Sequence, residues 1–503
     1  MKILMIYPLP SPASPQKNCA LSIIYPGRAA EENSHDVEYW DARLDKEKDL
    51  WQLAQKADIF GISSMSGFQL GEAIRIAKAL KKFNKPIVWG GVHATFMHEQ
   101  LLLEDYCDYA VLGEGEIRFP KLLRAIEREL SLESIDGIGF KKQEEIIVNP
   151  RKCAVDLKTQ YVSAVSSKTQ RLFIEAAKRN EVILQTSRGC PWSPTSCVFC
   201  SVGGQYATSV YRCIPYKLWA KDLRAIYSLE PFNFIELEDE NSAYFLKDWR
   251  YAELLKSLKI KYHLHLRSDQ LRNEMVIAKL AETGCRRVHI GAESGNQKTL
   301  DAMRKNEKVE DHYSAARLLA KYGLEGVYTW IIGNPGETPE QIMDTLRASD
   351  EIRAIHPQAK SRATIYLLMP LPGTISFEQA KASGWKPPKN NQEWVDLSAA
   401  GNPQLPQWMN NIYFIAGFHH NRYHKTPQNF PGWWRLLILP FEWLIELRWQ
   451  LGIKNRKTFF FQFFWEKKLI KALLKWRSPK SGGQGKTHTP KLIERLLPGM
   501  AGH

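Results

Sequence analysis

Twice along this chain, short apolar runs alternate with amphipathic helical patterns, and that alternation limits the fold more than any other feature. The first series places strands at 3–7, 37–40, 59–63, 86–89 and 109–112, with helical periodicity over 69–82 and 116–129. Such a pattern predicts a doubly wound parallel α/β sheet of the Rossmann-like kind over residues 1–140, with ligands at the carboxyl ends of its strands. Residues 141–180 read as a linker carrying a helical piece. A second series follows, with strands at 182–185, 232–237, 262–266, 287–291, 326–332 and 364–368. Helical patterns at 217–228, 248–258, 273–283, 312–322 and 339–355 separate them. Six βα repeats predict a partial (βα)6 TIM barrel over 181–400, whose chemistry belongs at the strand carboxyl ends.

The first strand of the second series runs straight into TSRGCPWSPTSCVFCS, which holds Cys190, Cys197 and Cys200. Three thiolates can hold three irons of a cubane [4Fe–4S] cluster and leave the fourth iron open to a small ligand. A second reading adds Cys213 and makes a four-thiolate zinc site, since Cys-x2-Cys pairs serve both metals. A disulfide reading is weaker. With 8 cysteines in 503 residues and no signal-peptide pattern in MKILMIYPLP, a reducing cytoplasmic setting is expected.

The remaining strand ends are also polar or glycine-rich. In the first series they carry GISSMSG (61–67), WGGVHAT (89–95) and LGEGE (112–116), where glycine lets backbone approach a ligand. In the second they carry ELEDEN (236–241), LRSDQ (266–270), GAESG (291–295), GNPGET (333–338) and PLPGT (370–374). Any single acid among these is more often a helix cap or a solvated group than a ligand. Their recurrence at consecutive strand ends, after the cysteine loop, favours a shared site. Acids of ELEDEN such as Glu238 could receive an ammonium group, Arg267 could pair with a carboxylate, and Glu293 could accept ribose hydroxyls.

Taken together, the cysteine loop, LRSDQ, GAESGNQKTLDAMRK and IIGNPGETPEQ resemble the radical S-adenosylmethionine (SAM) superfamily, in its branch with an N-terminal cobalamin-binding domain. The resemblance covers residues 1 to about 380. It implies that Cys190, Cys197 and Cys200 bind a [4Fe–4S] cluster, that Phe199 lies against the adenine, and that Glu238, Arg267, Ser268 and Glu293 help hold SAM. It further implies that Ser63, Gly90, Gly91 and Gly113 line the corrin face of a bound cobalamin. Two features depart from the family pattern. The cysteine spacing is Cys-x6-Cys-x2-Cys in place of the common Cys-x3-Cys-x2-Cys, with Pro191 and Pro194 in the enlarged loop. The first domain also lacks Asp-x-His-x-x-Gly, which donates a lower histidine to cobalt; His93 lies near that place and reads as a structural histidine.

Beyond residue 400 the chain becomes aromatic and basic. Between Gly417 and Lys480 there are 13 Lys/Arg against 3 Asp/Glu, which accounts for most of the net charge of +15. FPGWWRLLILPFEWLIELRWQL and FFFQFFWEKKLIKALLKW have helical amphipathicity and too many charges for a membrane span. They suit either peripheral contact with the inner face of an anionic membrane or a helical cap on the barrel. No nucleic-acid motif accompanies the charge. The expected function is a cobalamin-dependent radical SAM C-methyltransferase on a large hydrophobic substrate, lipid or tetrapyrrole-like, fed electrons by a flavodoxin or ferredoxin. Alternatives are an oxidative cyclase of the anaerobic magnesium-protoporphyrin monomethyl ester type, and a non-catalytic zinc or iron–sulfur module at a membrane.

Overall fold

The computed structural model describes residues 1–10, 18–192, 197–205, 211–355 and 362–400. The basic aromatic segments of the carboxy-terminal region, and Pro194 of the cysteine loop, lie outside the described residues. Among the described residues no helix is long and apolar enough to cross a membrane.

The first sheet contains β1 (Lys2–Tyr7), β2 (Asp36–Asp41), β3 (Ile59–Ser63), β4 (Ile87–Gly90), β5 (Tyr109–Val111), β6 (Ile138–Lys142) and β7 (Glu145–Val148). Their order is β2-β1-β3-β4-β5-β6-β7. The first five pair in parallel, and β6 and β7 add an antiparallel hairpin at the edge. Both faces are covered, and the strand residues divide between them by alternation. Ile3 and Met5 join one apolar cluster, while Leu4 and Ile6 join the other. Helices therefore flank the sheet on two sides, as the alternating sequence implies.

The β6–β7 hairpin extends the sheet into the segment read as a linker. Its turn passes through Gln143 in the left-handed region (φ 55). No glycine or proline marks it, and KKQEE offers no apolar alternation. WGGVHAT was expected as a loop. It instead opens the helix Gly91–Leu102 directly from β4.

The second sheet is built from β8 (Val182–Leu184), β11 (Phe234–Leu237), β12 (Lys261–Leu266), β13 (Cys285–Glu293), β14 (Glu325–Ile332) and β15 (Arg362–Leu367). Between its first two strands a separate short ladder pairs β9 (Ser187–Arg188) with β10 (Arg212–Cys213). The six main strands are all parallel, in the order β15-β14-β13-β12-β11-β8, so β8 and β15 end an open part-barrel. Helix limits follow local chemistry: Asn273 accepts from Met275 N at the start of Glu274–Thr283, and Gly284 (φ 97) closes it. Leu172 and Phe173, on the helix Gln170–Lys178, belong to one apolar cluster with Met5 of the first sheet and Val182 of the second. The two sheets thus share a core on that side, which fixes how their strand ends face each other.

Candidate functional site

The cysteine loop is held at its root before any cofactor is considered. The β9–β10 ladder pairs Arg188 with Arg212 and Ser187 with Cys213, closing the loop into a ring. Beneath it the fully buried Asp239, two residues past β11, accepts Thr186 N at 2.7 Å, Thr186 Oγ1 at 2.6 Å and Ser187 N at 2.9 Å. Burial pushes the Asp239 carboxyl up, and these donors oppose the shift. Glu240 accepts Gly189 N at 3.2 Å. Gly189 adopts φ 85, a conformation that favours glycine where the chain turns into Cys190. Two acids of ELEDEN are therefore clamps on the loop.

On its return the loop is tied to the other end of the barrel. Val198 N donates to Met303 O at 3.0 Å, Ser376 N donates to Val198 O at 2.9 Å, and Cys200 N donates to Cys197 O at 3.2 Å. Arg267, at the end of β12, lies 4.4 Å from the Trp192 ring centroid. Phe199 is half-buried between the last two cysteines. Burial raises the thiols of Cys190 and Cys200, the latter to about 12, and Cys197 acts electrostatically on both. Cys213 stands on β10 beside Tyr244, whose hydroxyl it pushes up.

The three sulfurs do not gather within 4.8 Å of one another. Four thiolates around one zinc at about 2.3 Å would stand only about 3.8 Å apart. A cube that gives each thiolate its own iron suits a wider set. The donor set, three thiols of one loop that act on one another electrostatically with Cys213 set apart on β10, fits a three-cysteine cluster better than zinc.

Beside this loop lies a buried charge network. Lys305 is 5 % exposed, with Nζ 3.4 Å from Glu293 and 3.7 Å from Glu307. Burial opposes its charge, but Glu293, Glu307 and Cys197 outweigh it and hold the ammonium protonated. Burial raises the Glu293 carboxyl and brings Glu307 to about 7, against the pull of Lys305 and Arg267. Glu293 sits at φ 63, where a non-glycine residue is strained, at a register shift closing β13. Arg267 donates to Lys305 O at 2.6 Å and to Asp269 at 3.1 Å, so its guanidinium braces the 305–307 segment. Ser268 Oγ bonds His312 Nδ1 at 2.6 Å. The hydroxyl expected to contact SAM thus also reaches the helix Val309–Lys321. Lys305 and Glu307 escaped the sequence reading, although Lys305 closes GAESGNQKTLDAMRK and Glu307 stands two residues beyond it; a lysine just past a helix gives no sign that it will be buried.

The first domain presents a different surface. A cavity of ≈ 440 Å³ lies where the two sheets' strand ends meet, lined by Ser63, Gly90, Gly91 and Gly113 on one side and Gln185, Arg188 and Glu238 on the other. In the β2-β1-β3 order this is the switch point of the sheet, where such folds bind ligands. A Cβ added to Gly90 would meet nothing within 4 Å, so the backbone there borders open space. Gly91 has φ 87 and no room: its Cβ would stand 2.7 Å from Ser64 O. Glu238 stands in the cavity wall, and burial raises its carboxyl despite His265 nearby.

His93 is fully buried, with Nδ1 2.9 Å from Ser66 Oγ and Nε2 3.1 Å from Asn391 Oδ1. Both nitrogens are engaged by the protein, so it offers no ligand to cobalt. The bare strand ends form a cradle that a flat macrocycle can approach. Glu114 and Glu116 bind Arg188 at 2.8 and 2.6 Å, and Glu114 binds Arg212 at 2.9 Å. Burial would raise Glu114, yet these arginines hold it low. The first sheet is thereby pinned to the root of the cysteine loop.

A three-thiol loop on a parallel part-barrel, opening on the bare strand ends of a second parallel sheet, defines an enzyme that pairs an iron–sulfur radical domain with a corrinoid-type domain. Family models agree: residues 184–348 match the radical SAM superfamily and residues 17–123 match the B12 binding domain. An uncharacterised methyltransferase of Pyrococcus horikoshii is 27% identical over 370 residues, 69% of this chain and 76% of that protein. An anaerobic magnesium-protoporphyrin IX monomethyl ester cyclase of Synechocystis is 29% identical over 49% of this chain and 50% of that protein. The hopanoid C-3 methylase of Methylococcus capsulatus is 25% identical over 68% and 65%. Among solved structures, the radical SAM methyltransferase TsrM of Kitasatospora setae, with cobalamin and a [4Fe–4S] cluster bound, shares the fold at TM-score 0.61 and 18% identity, covering 76% of this chain and 78% of that one. The chain belongs to the radical SAM superfamily, in the branch that carries an N-terminal B12-binding domain.

Proposed function

We propose that this protein is a cobalamin-dependent radical SAM C-methyltransferase acting on a large hydrophobic substrate. The observation that carries the reading is the single cavity shared by the glycine-lined strand ends of the first sheet and by Gln185, Arg188 and Glu238 of the second. A cluster-bound SAM supplies reductive C–S cleavage, and cobalamin supplies a transferable methyl group. In this reading Cys190, Cys197 and Cys200 hold the cluster, with Phe199, Glu238, Arg267, Ser268 and Glu293 around SAM. Ser63, Gly90, Gly91 and Gly113 face the corrin.

What the chain itself contributes is placement. Asp239 fixes the approach of the loop through its contacts to Thr186 and Ser187. Arg267 braces Trp192 against the 305–307 segment. Lys305 stays cationic beside Cys197 and offsets thiolate charge. The Glu114–Arg188–Arg212 cluster keeps the two cavity walls in register.

The substrate class is supported by relatives named for a hopanoid and a tetrapyrrole. A flavodoxin or ferredoxin donor, and peripheral contact with the inner membrane face through residues 401–503, complete the proposal. The cyclase-like relative supports a second reading, ring closure without methyl gain. The deciding experiment is anaerobic reconstitution with iron, sulfide and hydroxocobalamin, then turnover of hopanoid and tetrapyrrole substrates with CD3-labelled SAM. A product heavier by one labelled methyl supports methyl transfer. A product with a new ring and no label overturns it in favour of the cyclase. Absence of SAM cleavage under dithionite overturns both.

A further inference from the structure

The inner surface of the part-barrel carries a second group of metal-type ligands, separate from the cysteine loop. Ile235, Leu237, Leu264, Leu266, Val288 and Ile290 belong to the apolar core. Alternation then turns Glu236 of β11, His265 of β12 and His289 of β13 to the opposite, inner side. His265 and His289 are direct partners across the β12–β13 ladder, and their rings meet edge to face with centroids 4.7 Å apart. Glu236 Oε1 lies 3.8 Å from His265 Nε2 and 3.7 Å from His289 Nε2. One ligand atom from each of the three falls within a 4.8 Å set. Their side chains keep between 23% and 29% of their surface accessible, so an ion can reach them from the barrel interior.

The hydrogen bonding around His265 shows what the cluster is built for. Its Nδ1 lies 3.0 Å from the carbonyl of Asp239, a group that can only accept. Nδ1 therefore donates to that carbonyl, which leaves Nε2 directed at the Glu236 carboxylate. At 3.8 Å an unprotonated Nε2 and a carboxylate repel unless a cation stands between them. A direct charged hydrogen bond would close to about 2.7–2.9 Å, and neither imidazole does so. Ligands sharing one metal at about 2.0–2.2 Å stand roughly 3–3.5 Å apart, within a small side-chain rotation of the spacing here. An imidazole whose far nitrogen is fixed by a backbone carbonyl is the usual outer arrangement of a metal-bound histidine.

The charges around the group are accounted for. Below it, Arg287 is paired with Glu325 at 2.6 Å, and the His263 ring packs on Phe234 at 4.0 Å. Above it on the same strand face stands Glu238, and Arg267 is committed to Asp269 and Glu307. Among the described residues no lysine or arginine pairs with Glu236, whose ion-pair partners are the two histidines.

We infer that Glu236, His265 and His289 bind one divalent transition-metal ion inside the barrel, with its remaining coordination positions turned to the barrel interior. Two imidazoles and one carboxylate suit Mn(II), Fe(II), Co(II) or Zn(II), and leave room for a water or a substrate oxygen. Asp239 links this site to the cysteine loop, since its carbonyl orients His265 while its carboxylate holds Thr186 and Ser187.

The test uses the full chain carrying its cluster in the oxidised, EPR-silent state, and Mn(II), which thiols bind poorly. Titration followed by the free Mn(II) EPR signal should give one saturable equivalent. Pulsed EPR of the bound ion should show coupling to imidazole nitrogen. E236Q, H265A and H289A should each weaken Mn(II) binding at least ~10-fold while cluster iron stays unchanged. Wild-type protein with no saturable Mn(II), bound Mn(II) without nitrogen coupling, or an E236Q/H289A double variant that binds as wild type would each overturn the assignment. The nitrogen coupling is read on the wild-type chain, so it decides the matter even where a variant fails to fold.

Discussion

The two sheets face each other across one cavity, yet they prepare their strand ends in opposite ways. The first gives up side chains: Ser63, Gly90, Gly91 and Gly113 present backbone and small polar groups. The second accumulates charge and then neutralises it locally, as Lys305 does between Glu293 and Glu307. A broad, preformed macrocycle needs surface to lie on, so the wall that receives it is bare. A cluster of thiolates needs compensating charge held still in a dry place, so that wall is crosslinked. The contrast predicts that substitutions on the charged wall act through folding and the cluster together, and those on the bare wall through ligand fit except where the backbone conformation itself demands glycine, as at Gly91.

The largest effect tests the charged wall at its centre. Cys197→Ala should lower cluster iron and abolish 5′-deoxyadenosine formation, while the first sheet stays folded and still takes up hydroxocobalamin. Loss of both cofactors together would break the proposed independence of the two walls. Next, Lys305→Met leaves Glu293 buried without its ion-pair partner, while Glu307 keeps only Arg267 at 3.7 Å. Removing one partner of a buried pair costs about 3–5 kcal/mol, so chemical denaturation should show a loss of that order. A change below ~1 kcal/mol would mean the network is solvated in solution.

His93 sharpens the comparison from the other side, as a buried histidine of the helix that opens behind the bare wall. Burial lowers it to about 4. Because the folded value lies below the unfolded one, the unfolded chain binds the extra proton between about pH 6.5 and 4. Stability therefore falls as pH drops through that window, by about 3 kcal/mol for the full shift. His93→Gln should flatten the fall between pH 6.5 and 4 in urea titrations. An unchanged slope would assign the acid sensitivity to other groups.

Much of this arrangement could be read from residues alone, and the misses share a cause. β1 to β5 and the six parallel strands of the second sheet follow from apolar runs and helical periodicity, which are local properties. The cysteine loop was visible because three thiols so close in sequence have few other uses. The β6–β7 hairpin was hidden because Gln143 turns without glycine or proline. Ser268 bonds His312, 44 residues away, and a tertiary contact leaves no local trace. Lys305 and the Glu236–His265–His289 group were missed for the same reason. Alternation can place each side chain on the inner face of its strand, but only the register between strands brings them together.

The smallest effects give the finest comparison, because they lie on adjacent residues. Gly91→Ala must place a Cβ at φ 87, 2.7 Å from Ser64 O and 2.9 Å from Ser63 Oγ. The left-handed conformation alone costs about 1–2 kcal/mol, and the contacts with Ser63 and Ser64 add to it, so a lower Tm is expected before any ligand is added. Gly90→Ala meets nothing within 4 Å and should leave Tm unchanged. Its methyl instead enters the space where the corrin is proposed to lie, so hydroxocobalamin titration should show weaker binding in that variant. Should Gly90→Ala bind cobalamin as tightly as wild type, the corrin does not approach β4, and the bare wall must owe its glycines to the turn at Gly91 alone.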